Sequence, residues 1–78
     1  MEAILRKLSD LKCGEKGIVH SFSSTEIFLK LMEMGCVPGE HLSVEMRAPL
    51  GDPMSIMIAG YHLSLRISEA EQIMVDIS

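Results

Sequence analysis

A chain of 78 residues that is 47% hydrophobic but only 4% aromatic, with seven methionines, reads as one small domain with an aliphatic, adaptable core and little room for a deep cleft. Its net charge is −4 and its seven Lys and Arg are scattered, which argues against the basic surface that nucleic-acid affinity requires. Apolar runs such as 56–59 fall far short of the ~20 residues that span a bilayer as a helix, so no membrane insertion is expected. Cys13 and Cys36 read as reduced thiols of a cytoplasmic protein, since a small secreted scaffold carries more cysteines and no signal peptide precedes the domain.

Taken in chain order, the first segment places leucines at 5, 8 and 11, a spacing that fits a short helical turn or irregular packing on a barrel edge. Gly17 to Phe22 is rich in β-branched and apolar residues and bounded by glycine, which predicts a strand. The following segment, SSTEIFLKLMEMG, predicts a helix. Ser23 and Glu26 stand at capping-box spacing, with Phe22 and Ile27 as a hydrophobic staple. Glu26 and Lys30 are spaced for an i,i+4 pair. Gly35 supplies the left-handed residue that ends the helix, and Pro38 keeps it from resuming. Met34, Ile27, Leu31, Phe28 and Met32 share a face, and Leu29 widens it to an apolar arc of about 220°, more than packing on one layer uses. The surplus either fills a groove of the chain's own barrel or is left for a partner.

Beyond the Pro38-Gly39 turn the period becomes two. Leu42, Val44, Met46 and Ala48 alternate with Ser43, Glu45 and Arg47, the pattern of a half-buried strand. Ala48 to Pro53 forms a second turn, in which Asp52 is expected to bond nearby backbone groups. Two more strands follow, joined by a tight hairpin at Ala59-Gly60, with Tyr61, Leu63, Leu65 and Ile67 inward. A capped helical turn from Ser68 leads to a last strand with Ile73, Val75 and Ile77 inward. Glu69 and Glu71 read as solvated charges. The expected architecture is mainly β, a small curled barrel of about five strands, with one α-helix after the first strand and a short helical turn before the last.

Catalytic arrangements are missing: there is no GxxxxGK[ST], HExxH or CxxC, and GEKG near Gly14 reads as a turn. No enzyme, catalytic residue or cofactor is therefore expected. Cys36 and His41 are the weak candidates for a metal, but two ligands need a further one from His20 or His62. A buried core thiol and a surface imidazole are the simpler assignment, and no metal site is expected.

The phrase KLMEMGCVPGEHLSVEMRAPLGDPMSIMIAGYHLSLRISEAEQIMV resembles the FeoA family of bacterial ferrous iron transport. The residues that carry the resemblance are Leu31 through Gly39, Leu42 through Pro53 and Leu63 through Val75, within a single FeoA-like domain over 1–78 whose core is 8–77. Met34, Cys36 and His41 depart from the family pattern. The resemblance implies an SH3-like barrel and a role beside FeoB, a membrane GTPase, which would place the chain in the cytoplasm and at the inner membrane only through that partner. The same domain type resembles the C-terminal module of iron-dependent repressors, which gives an alternative reading as a metal-responsive regulatory domain. On the first reading the turns scaffold a surface for the partner, and the residues expected to touch it are Leu29, Leu31, Met32 and Met34, with Pro49, Leu50 and Met57. Each of these could instead be core. Phe22, Phe28 and Tyr61 are too few and too inward for a proline-peptide groove, and a free barrel edge would allow weak self-association.

Overall fold

The computed structural model describes residues 2–78. Six strands form one antiparallel sheet: β1 (Leu5–Lys7), β2 (Lys16–Phe22), β3 (His41–Arg47), β4 (Met54–Ile58), β5 (Tyr61–Leu65) and β6 (Ile73–Asp76), in the order β1-β6-β2-β3-β4-β5. The helix α1 (Thr25–Glu33) follows β2, and the one-turn helix α2 (Ile67–Ala70) precedes β6. The mainly β class stands, with one strand more than the sequence suggests. The sheet wraps a single aliphatic core without being closed by hydrogen bonds, since β1 and β5 remain its edges.

The extra strand comes from the leucine-spaced segment. Leu5 lies in β1 against β6, and the chain then tightens into a 3-10 turn at Leu8–Asp10. The three-residue period of that turn aims Leu8 and Leu11 together into the core, where both are fully buried. A helical reading of the spacing was half right. Three residues of strand have no local signal, because their bonds are supplied by a strand seventy positions away.

In β3 the alternation breaks. Val44 pairs with Ile56 but Met46 pairs with Ser55, a bulge that inserts one residue. Met46 is thereby turned out to solvent and Arg47 turned toward the interior, the reverse of the simple pattern. The Arg47 guanidinium donates to the carbonyls of Ser9 and Leu11, clamping the 3-10 turn to the end of β3. Gly17 marks a second constraint: a Cβ there would collide with the Val75 side chain and the Asp76 carbonyl, so glycine lets β2 and β6 cross closely. The hairpin is as expected, with Ala59 and Gly60 both at positive φ (49° and 82°), the geometry of a two-residue primed turn.

Candidate functional site

The two ends of α1 fix what its surface presents. Ser24 is the N-cap, its Oγ accepting from the Ile27 N–H at 3.3 Å. The expected Ser23–Glu26 box does not form, because Ser23 is taken by a distant partner: its backbone N–H donates to the Gln72 carbonyl and its hydroxyl to Gln72 Oε1 at 3.2 Å. Ile27 is buried in the core, and Phe22 is partly buried against the same cluster. Phe22 meets Phe28 edge to face, with centroids 5.4 Å apart. Lys30 bypasses Glu26 and reaches Glu69 of α2 at 2.5 Å. The C-terminus closes as a Schellman motif, with Gly35 at φ +89°, its N–H on the Met32 carbonyl and the Cys36 N–H on the Leu31 carbonyl.

With both ends held, α1 turns Ile27 and Leu31 into the core and leaves Leu29 57% and Met32 42% exposed. Leu31 is 0% exposed and is core, a correction to its place among the partner-facing candidates. Half-buried Phe28 lies beside Met32 around the helix, and it lines a shallow hollow of about 430 Å³ together with Phe22 and Pro38. At the other end of α1, half-buried Met34 and Gly35 line a second hollow with Tyr61. Alternation along β5 assigned Tyr61 inward, yet it is 66% exposed. It is the first residue after the hairpin turn, on the edge strand beside buried Ile58, and that position was the available signal. The resulting apolar surface runs along the solvent side of α1, from Phe28 through Met32 and Leu29.

The remaining candidates lie elsewhere. Leu50 is 97% exposed at the tip of the loop between β3 and β4, next to exposed Pro49. That loop is set apart from the C-terminal end of α1. It joins β3 and β4 at the end opposite the Ala59-Gly60 turn, whereas Tyr61 and the C-terminal end of α1 lie at the turn's end. Asp52 braces it from a distance rather than locally, its Oδ1 accepting from the Ile67 N–H at 3.0 Å at the start of α2. Met57 is half-buried on the outer face of the sheet, paired with Ser43 and His62. The expected surface thus divides into a helix face, a loop tip and a patch of outer sheet.

The weak metal candidates do not assemble. Cys36 is fully buried against the core, and burial pushes its thiol up to about 11, away from the thiolate that binds metals. His41 is exposed at the start of β3. Among the described residues no three His, Cys, Asp or Glu side chains converge as a metal site would require. Glu69 is not a free charge: the Lys30 ammonium, and then the Arg66 backbone N–H, hold its carboxyl below the usual glutamate value. Arg66, rather than Ser68, is the residue that precedes the first turn of α2. No helix among the described residues is long and apolar enough to cross a membrane.

A six-stranded antiparallel sheet wrapped on one aliphatic core, with a helix inserted between its second and third strands, is the architecture of a small SH3-like domain. Within that class this chain belongs to the FeoA family: residues 6–77 match the FeoA domain. It is 35% identical over 72 residues to an Fe(2+) transport protein A/Fe(2+) transporter FeoB fusion protein of Porphyromonas gingivalis, covering 91% of this chain and 8% of that protein. The chain therefore spans under a tenth of that relative. The solution structure of a FeoA-like protein from Clostridium acetobutylicum superposes with a TM-score of 0.88 at 35% identity, over 99% of this chain and 90% of that one. FeoA of Stenotrophomonas maltophilia in complex with zinc, described as a prokaryotic SH3 domain protein, superposes with a TM-score of 0.75 at 31% identity, over 88% of this chain and 87% of that one.

Proposed function

We propose that this chain is a non-catalytic accessory protein of ferrous iron transport that docks on the cytoplasmic part of a FeoB-like membrane GTPase through the solvent side of α1. The observation that carries the reading is the exposure of Leu29 and Met32 on a helix whose core-facing side is already satisfied by Ile27 and Leu31. Apolar side chains fixed in place by a capped helix lose little freedom when a partner covers them, which favours association. Burying a leucine or methionine of this kind contributes roughly 1.5–3 kcal/mol. Support for the partner comes from the Porphyromonas gingivalis relative, in which an Fe(2+) transport protein A and an Fe(2+) transporter FeoB are one polypeptide. Covalent linkage keeps two contacting domains at high effective concentration. Leu50, on its braced loop, is the second contact by exposure. Binding of the purified cytoplasmic GTPase domain, followed by calorimetry, tests the reading: Leu29→Glu and Met32→Glu abolish binding and leave the melting temperature near that of the unmodified chain. Binding unchanged by both substitutions contradicts it.

A further inference from the structure

We propose that the free edge of β5 pairs with the same edge of a second copy, antiparallel about Leu63, to join two sheets into one. The sheet has two edges, β1 and β5. The β1 edge is three residues long and carries exposed Arg6 and Lys7, charges of the kind that keep foreign strands away. The β5 edge, Tyr61-His62-Leu63-Ser64-Leu65, has no Lys, Arg, Asp, Glu or Pro.

Its hydrogen-bonding parity follows from the hairpin. A two-residue turn at Ala59-Gly60 makes Ile58 and Tyr61 a bonded pair, so Leu63 and Leu65 bond to Ile56 and Met54. The N–H and C=O groups of His62 and Ser64 then aim away from β4. Among the described residues no turn, cap or loop bond uses them. Two open residues at positions i and i+2 are self-complementary: centred on Leu63, His62 faces Ser64 of the second copy and Ser64 faces His62, giving four backbone hydrogen bonds. The same placement sets Tyr61 across from Leu65 of the second copy and half-buried Leu63 across from its own counterpart. That is the face on which Tyr61 lies open. The His62 side chain is engaged by Glu45 within the chain, at 2.6 Å on the outer face, and no like charges within β5 oppose each other in the pair. An edge this short makes a weak dimer, populated at high concentration.

The test is sedimentation equilibrium together with backbone amide exchange, on the full chain from micromolar to millimolar concentration. The mass should rise from 8.6 kDa toward twice that value, and the His62 and Ser64 amides should slow by about tenfold or more as it does. The double variant His62→Lys with Ser64→Lys sets lysines opposite one another in the pair on positions exposed in the single chain, and it should stay monomeric with an unchanged melting temperature. Should it misfold, Ser64→Pro removes an outward N–H that β4 does not use, and it should also stay monomeric. A chain that is monomeric at millimolar concentration overturns the proposal, as does a dimer that persists in a folded variant. Protection of the β5 amides that appears only when the GTPase domain is added overturns it too, and would give the edge to a foreign strand.

Discussion

Leu29 and Leu31 sit two positions apart on α1, about 200° around the helix, and the sequence treats them as one apolar phrase. The structure separates them: Leu31 is sealed in the core by the Schellman closure over Cys36, while Leu29 faces water. Cys36 shares that burial and Cys13 does not. In the native protein at neutral pH, a thiol-reactive reagent should therefore titrate one equivalent rapidly, at Cys13, and the second only after denaturation. Rapid native reaction of both thiols would show that Cys36 is accessible. Glu69 offers a pH test. Its carboxyl is held below the free value of 4.5 by Lys30, so the stabilisation is fully present above that pH and is lost as pH falls through the lower folded value. Melting curves should show Glu69→Gln less stable than the unmodified chain at neutral pH, with the gap closing on acidification below about 4.5. A gap that is constant with pH would mean the ion pair contributes nothing.

The elements show why some of this was legible and some not. The helix, the Ala59-Gly60 hairpin and the last strand each carry their instructions locally, in Gly35, in the turn dipeptide and in alternating Ile73 and Val75. The Ser23–Glu26 box was a local pattern overruled by Gln72, forty-nine residues on. The β3 bulge and the strand β1 have no local signature, since an extra residue or a three-residue pairing exists only in relation to the neighbouring strand. Gly17 belongs to the same class: it reads as a strand boundary, and its role is the crossing of β2 and β6. Gly17→Ala should force that crossing apart and cost about 1–3 kcal/mol in a urea unfolding experiment. An unchanged midpoint would mean that the strands yield freely.

At the scale of the whole molecule, the sequence anticipated a helix with more apolar surface than its core could use, and Leu29 and Met32 bear that surplus. It did not anticipate that Leu50 would stand at the other end of the β3–β4 pair, because the distance between a helix and a loop is set by the sheet and not by either segment. Two apolar features on one SH3-like body suit contact with a large partner, which the proposed function takes to be a FeoB-like GTPase. The most direct test is the affinity of the FeoB-like cytoplasmic domain for the unmodified chain and for Leu29→Glu combined with Met32→Glu, with melting temperatures measured in parallel. The account predicts that the doubly substituted protein melts as before and no longer binds. Full binding by a folded, doubly substituted protein would contradict it.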